Sequence, residues 1–374
     1  MGIAPAERDA VRHARGLIFG KAEQSGRVKS EGRRPKSERN SKSEWNSHFL
    51  GVTAAVFFLL LSSPNALAQP AQTSPTVILV VGAPGEPEYG SNFLQQASLW
   101  EKACQQGNAR AVTIGVDYPE GTNDLDLLKA TLAELPKQSS APLWLVLIGH
   151  GSFDGKEAWF NLRGPDFSGS DLAGWLKPFQ RPMAVINTAS CSGPFINKLS
   201  ATNRVVITAT RSGNEQNFAR FGQHLARALT DSQADLDQDG EISLLEAFLT
   251  ASHEANEFYK AQGRLITEHA LIDDNGDGLG TPVEWFRGLR AARKAKDSVT
   301  DGALAQQFCL VPSPAERALS PEQITQRDAL EKQVLALRDK KSSIPEDDYY
   351  QQLETLLLQL ARFYASGSAT NAVH

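Results

Sequence analysis

The sequence predicts an α/β protein, a three-layer sandwich around a mainly parallel sheet, and three observations carry that expectation. Five short, nearly continuous apolar runs recur along the chain: TVILVVG (76–82), AVTIGVD (111–117), LWLVLIG (143–149), MAVINTA (183–189) and RVVITAT (204–210). Unbroken runs of Val, Ile and Leu, without polar alternation, mark strands buried on both faces. Helical patterns near 91–106 and 123–135 lie between the runs and supply the covers of a parallel sheet, whose carboxyl edge is where function gathers. With 374 residues and 41% apolar content, the chain has material for one large core and a smaller appendage.

The N-terminus reads as a targeting segment. Residues 21–43 hold eight Lys or Arg against three Glu, residues 49–61 are a thirteen-residue apolar run, and Ala66-Leu67-Ala68 precedes Gln69 as a cleavage signature. The run is short for a bilayer span and is followed by small residues, which describes a signal peptide cleaved after Ala68 and a periplasmic or secreted product. Left uncleaved, the same segment would anchor the chain in a membrane. Residues 1–48 contribute eleven of the basic and six of the acidic side chains, so export changes the net charge from −5 to −10. An acidic exported protein repels phosphate backbones, which argues against a nucleic-acid partner.

Cys104, Cys191 and Cys309 are an odd number of thiols, so in an oxidising compartment at least one stays free or pairs between molecules. Cys104 shares a helical face with Phe93, Ala97 and Trp100 and reads as a core residue. A Cys104–Cys309 disulfide is the alternative.

Beyond the five runs, a helix is expected near 217–231. The region 231–312 is expected to be helical around two Asp-rich loops. In 313–374, SPEQ (320–323) forms a capping box with Pro at the first helical position. It opens a helix with Leu330, Val334 and Leu337 on one face. A second helix carries Tyr349, Leu353, Leu356, Leu360 and Phe363, so the tail predicts a helical hairpin, frayed at its last residues.

DLDQDGEISLLE (235–246) matches the twelve-residue EF-hand loop at each diagnostic place. Asp235, Asp237 and Asp239 supply carboxylates, Gly240 the sharp turn, Glu241 its carbonyl, Ser243 a water-mediated contact, and Glu246 a bidentate carboxylate. DDNGDGLGTPVE (273–284) offers Asp273, Asn275, Asp277, the Leu279 carbonyl and Glu284, but Gly280 replaces the apolar anchor and Pro282 disturbs the exit helix. The expected cofactor is structural Ca²⁺, which would hold the C-terminal helices against the sheet. The bland alternative for each loop is a solvated turn capping a helix.

Two runs end in a reactive group: His150 in LIGHG and Cys191 in INTASCSG. Adjacent carboxyl ends of a parallel sheet meet in space however far apart they lie in sequence. A thiol needs a base to ionise, and its leaving group needs an acid; one imidazole can serve both. Gly151, lacking a β-carbon, lets its N–H approach a reacting carbonyl.

This arrangement resembles the cysteine peptidases of the caspase and legumain clan, in which an apolar strand ends in His-Gly and a later one ends in a small residue and the nucleophilic Cys. The His-to-Cys separation, RVVITAT and the following RSGNEQ are most similar to the legumain-like branch and its bacterial exported members. The resemblance implies a caspase-like catalytic core over 69–230 that acts on a peptide or protein substrate. It assigns His150 and Cys191 as the dyad and the Gly151 and Cys191 amides as the oxyanion hole. Thr210, Arg211 and Glu215 would contact substrate. Ala189 stands where legumain-like enzymes carry an acidic residue, and GAPGEPEYGSNF (82–93) lacks their basic residue. The competing readings are a catalytically inactive caspase-like scaffold that binds calcium and a protein partner, and an α/β-hydrolase with ASCSG as its nucleophile elbow. The hydrolase fold needs its His after the nucleophile, from His224, His253 or His269.

Overall fold

The computed structural model describes residues 74–116, 123–295, 299–341 and 343–370. These belong to one compact unit. The leader and signal peptide expected at 1–68, and Asp117 at the end of the second expected strand, lie outside the described residues.

The elements in chain order are β1 (Thr76–Val81), α1 (Pro87–Gln106), β2 (Arg110–Ile114), α2 (Asp124–Glu134), β3 (Leu143–Ile148), β4 (Gly151–Phe153), β5 (Ala158–Phe160), β6 (Phe167–Ser168), α3 (Gly169–Leu176), β7 (Met183–Asn187), α4 (Pro194–Leu199), β8 (Arg204–Thr208), α5 (Phe221–Ala228), α6 (Leu244–Ala261), β9 (Leu271–Asp273), β10 (Thr281–Pro282), β11 (Phe286–Arg287), β12 (Arg290–Ala291), α7 (Pro314–Arg317), α8 (Pro321–Asp339) and α9 (Glu346–Thr370). All five apolar runs are strands. They pair in parallel as β2-β1-β3-β7-β8, and β9 and β10 extend the β8 edge in antiparallel sense. The sheet is mainly parallel, as expected. Its two outermost strands on that side come from the region expected to be helical.

Side chains that alternate along each strand feed two cores. Val77, Leu79, Val81, Trp144, Val146 and Ile148 face α1, α5 and α6, whereas Ile78, Val80, Leu143, Leu145 and Leu147 face α2, α3 and α4. Because both faces are covered, the strands can be apolar throughout, which is why period-2 alternation is missing from the sequence. A small antiparallel sheet, β4-β5-β6, grows directly out of the β3 end.

Local signals set the helix starts. Pro87 opens α1, Ser168 and Asp171 form a capping box on α3, and Ser320 and Gln323 form the expected one on α8 with Pro321 behind it. Leu330, Val334, Leu337, Tyr349, Leu353 and Leu360 make a separate core between α8 and α9, the anticipated hairpin. Helix α9 continues to Thr370, past the point where fraying was expected. The three thiols are free, so the Cys104–Cys309 bridge is not formed, and Cys104 is buried in the core as read.

Gly107 ends α1 where the chain passes the Leu310 carbonyl, and a β-carbon there would stand 1.8 Å from that oxygen. Gly107→Ala is expected to destabilise the fold by about 1–3 kcal/mol through overpacking. Exposed Gly174 in α3 has no neighbour within reach of an added methyl, so Gly174→Ala is expected to stabilise by about 0.5–1 kcal/mol. Urea midpoints of the two variants check both signs.

Candidate active site at the strand ends

The ends of β3 and β7 are laced together. Strand pairing aligns Leu147 with Asn187, and the Thr188 amide and hydroxyl both donate to the Leu147 carbonyl at 2.9 Å. One step further out, the Ser190 hydroxyl accepts from the Gly151 amide and donates to the Gly151 carbonyl, each at 3.2 Å. His150 and Cys191 are the chain neighbours of this pair, so the topology brings them to one edge of the sheet. Gly151 lacks a side chain for a packing reason: a β-carbon would stand 2.3 Å from the Ser190 carbonyl oxygen.

His150 sits in an aromatic enclosure. The ring of Tyr89 meets it edge-on at a centroid distance of 4.7 Å, Phe93 at 5.1 Å and Phe218 at 6.2 Å. Its Nε2 lies 3.2 Å from the Pro84 carbonyl. A carbonyl only accepts, so Nε2 carries the proton in the neutral ring and Nδ1 keeps the lone pair. Burial lowers the imidazole's affinity for a second proton, and the Pro84 hydrogen bond partly restores it. Pro84 was missed in the sequence. Its contribution is a backbone oxygen in the loop after β1, and no side-chain pattern announces that.

Cys191 lies on a sharp turn between β7 and α4 with φ +58°, a left-handed conformation that costs a non-glycine residue on the order of 1 kcal/mol and persists only where surroundings hold it. The holding is visible. The Cys191 amide donates to the Glu215 carbonyl at 2.9 Å. The Ser192 hydroxyl and the Gly193 amide lie 3.2 and 3.0 Å from Thr210 Oγ1. A β-carbon on Gly193 would collide with the 211–212 backbone at 2.4 Å. The residue is 1% exposed. Burial pushes its thiol up, with partial relief from the Ser190 side chain.

Several expected roles change in this geometry. Both amides assigned to an oxyanion hole are already engaged, Gly151 with the Ser190 hydroxyl and Cys191 with the Glu215 carbonyl. Thr210, expected to contact substrate, is 0% exposed and instead ties the Cys191 turn to the segment after β8. The Glu215 carboxylate accepts from the amides of Arg211 (3.0 Å) and His269 (3.2 Å) and pairs with Arg211 Nε (3.2 Å) and His269 Nδ1 (2.6 Å). It is a clasp between chain segments. Arg211 alone of the three is exposed. The later histidines are also accounted for: His224 pairs with Glu254 at 2.7 Å, His269 with Glu215, and His253 is exposed on α6.

The two Asp-rich loops fold differently. Asp235, Asp237 and Asp239 converge, with one oxygen of each within 4.8 Å of the others, and the chain turns through positive φ at Gln238 and Gly240. Beneath them the buried Glu246 accepts from the Leu236 amide at 2.8 Å and from the Ser243 amide and hydroxyl at 2.8 Å. Burial and the Asp237 charge push Glu246 up to about 8. The Glu241 side chain accepts from the Ser313 amide at 2.6 Å. Three converging carboxylates over a buried fourth is a donor set that suits a hard divalent cation.

The second loop shares the internal bonding of the first, where Asp235 accepts from the Asp239 and Gly240 amides and Asp239 from the Glu241 amide, and differs in how its acidic residues are placed. Asp273 ends β9 fully buried and accepts from the amides of Gly276 and Gly278 at 3.0 Å. Asn275 accepts from the Asp277 amide, and Asp277 from the Leu279 amide. Glu284 is exposed on a 3-10 turn (Val283–Trp285) after β10, where an exit helix would have been needed. Among the described residues, Asp273, Asp277 and Glu284 do not form a converging group. Nor do the two loops pair, since Ser243 bridges to Cys309 and the Leu244 amide donates to the Phe308 carbonyl.

No family model matches the chain, and no curated protein matches it. Among solved structures, the Drosophila initiator caspase Dronc is similar at 14% identity and a TM-score of 0.36, over 55% of this chain and 81% of that one. A protein from Geobacter sulfurreducens gives 12% and 0.34, over 48% and 89%. Caspase-1 from Spodoptera frugiperda gives 10% and 0.32, over 54% and 86%.

The raised Cys191 thiol and the lowered His150 imidazole describe a resting site in which both groups are neutral at pH 7. Alkylation of Cys191 by iodoacetamide, followed by peptide mass spectrometry, is therefore expected to be slower at pH 7 than for a free thiol. It should climb continuously into the alkaline range; a plateau below pH 7 would show a pre-ionised thiolate instead.

Proposed function

We propose that this chain is an exported cysteine endopeptidase of the caspase and legumain type, held in shape by calcium at the 235–246 loop. The observation that carries the reading is the set of contacts at one sheet edge. The Pro84 carbonyl orients His150, and Gly151 and Ser190 join the His150 and Cys191 segments. The nucleophile candidate sits on a strained strand-to-helix turn. An oriented base and a cysteine delivered to one sheet edge are the components that acyl transfer requires.

In the reaction, His150 Nδ1 takes the thiol proton as Cys191 Sγ bonds to the substrate carbonyl carbon, whose π electrons move to oxygen. The imidazolium returns that proton to the amine nitrogen as the C–N bond breaks. Water then adds to the thioester carbonyl with Nδ1 again taking a proton; the C–S bond breaks, the acid product departs, and the imidazolium returns its proton to the Cys191 thiolate. Stabilising the oxyanion requires the Cys191 and Gly151 amides to exchange their internal partners for substrate, so the 2.9 Å bond to the Glu215 carbonyl has to open. Exposed Arg211 is the remaining candidate for substrate contact.

A second reading, a non-catalytic scaffold, is favoured by one observation: Cys191 is 1% exposed with both neighbouring amides committed. A thiol-directed peptide probe separates the two. The peptidase reading expects labelling at Cys191, and loss of turnover on the order of 10⁴-fold or more in both Cys191→Ala and His150→Ala. Labelling confined to Cys104 or Cys309, with no turnover of a diverse peptide library, would leave the scaffold.

Calcium is expected to bind at Asp235, Asp237, Asp239 and Glu246, with the Glu241 carbonyl and Ser243 completing the loop as in other EF-hand loops. Ca²⁺ at a hundred times its dissociation constant should stabilise the fold by about 2.7 kcal/mol. Thermal melts should show the gain lost in Asp235→Asn and kept in Asp277→Asn.

A further inference from the structure

Residues 211–217, RSGNEQN, hold no apolar side chain, yet they cover the backbone of the candidate nucleophile. The Glu215 carbonyl takes the Cys191 amide at 2.9 Å. Arg211, Asn214, Gln216 and Asn217 are exposed. A segment with so little to bury is kept in place by a few polar contacts, and it opens locally at a cost those contacts set.

Two neighbours grip it. Gly213 lies against the Phe153 ring of β4, where a β-carbon would stand 2.3 Å from the nearest ring carbon. The second neighbour is His269. Pairing of β9 with β8 sets Leu271 opposite Thr208, which carries His269 alongside the residues that leave β8. Its amide and its Nδ1 both meet the Glu215 carboxylate, at 3.2 and 2.6 Å. A carboxylate only accepts, so Nδ1 carries a proton there. The other contacts of that carboxylate come from Arg211, inside the segment itself. His269 is therefore what ties it to the rest of the protein. His269 is in turn well anchored, because its neighbour Glu268 is buried and accepts from the Arg220 and Phe221 amides and the Tyr259 hydroxyl, each at 2.9 Å.

We infer that the Glu215–His269 pair is a latch that holds residues 211–217 over Cys191, and that breaking it exposes the thiol and frees the Cys191 amide. In the closed state the residue is 1% exposed, so attack on an electrophile proceeds from the open fraction. Reactivity then scales with that fraction, and losing one charge-assisted hydrogen bond multiplies it about tenfold or more. The consequence for turnover rests on the peptidase reading; the consequence for thiol access does not.

The test is the rate of Cys191 alkylation by iodoacetamide in the full chain at one fixed pH, read by peptide mass spectrometry with Cys104 and Cys309 as internal references. His269→Leu is expected to react at Cys191 about tenfold faster or more than the parent chain. His269→Asn, whose side-chain amide supplies a donor in place of Nδ1, should return toward the parent rate. Glu254→Gln, which breaks the His224 pair instead, should leave it unchanged. Equal Cys191 rates in His269→Leu and the parent, equal acceleration at all three cysteines, or no restoration by His269→Asn would overturn the latch. Alkylation needs no peptide turnover, so these outcomes are separate from the peptidase reading, which fails instead if neither the parent nor His269→Leu cleaves a diverse peptide library.

Discussion

The ladder between β3 and β7 is the constraint on which the rest of the molecule depends. Five in-register pairs hold these strands side by side in the middle of the sheet, and parallel pairing obliges both to end at the same edge. Apolar side chains on both faces leave the backbone no alternative partner inside the protein, so the ladder cannot slip without stranding its polar groups. Everything at the candidate site is attached to this edge: the His150 loop through Gly151, the Cys191 turn through Ser190, and the small β4-β5-β6 sheet that continues from His150.

At that edge both reactive groups rest uncharged at neutral pH. An imidazole enclosed by Tyr89, Phe93 and Phe218 resists protonation, and a thiol out of solvent resists ionisation, both because a charge costs more in an apolar surround. Glu215 holds the turn twice, accepting the Cys191 amide on its carbonyl while its carboxylate binds Arg211 and His269. The left-handed φ at Cys191 is maintained by those contacts, and a substrate that drew the amide toward itself would compete with one identifiable hydrogen bond.

The sheet was legible because burial on two faces writes an unmistakable apolar run, and the capping box at Ser320 and the hairpin stripe were legible because helical spacing repeats every turn. His150 and Cys191 stood out as polar residues placed immediately after such runs. The second Asp-rich loop misled because EF-hand spacing registers residue types and not their directions. There, β9 pairing with β8 drew Asp273 inward, and Pro282 in β10 left no helix to carry Glu284 back to the loop. Thr210 misled similarly, since a hydroxyl beside a presumed site serves equally well as an internal tie.

Order along the chain therefore determined which strands and helices form and which two reactive side chains follow them, because hydrophobic period and cap chemistry are local properties. Tertiary packing alone decided the tautomer of His150 through the Pro84 carbonyl and the engagement of both candidate oxyanion amides. Those outcomes depend on backbone oxygens and on contacts between residues tens of positions apart, neither of which leaves a mark in residue type or spacing.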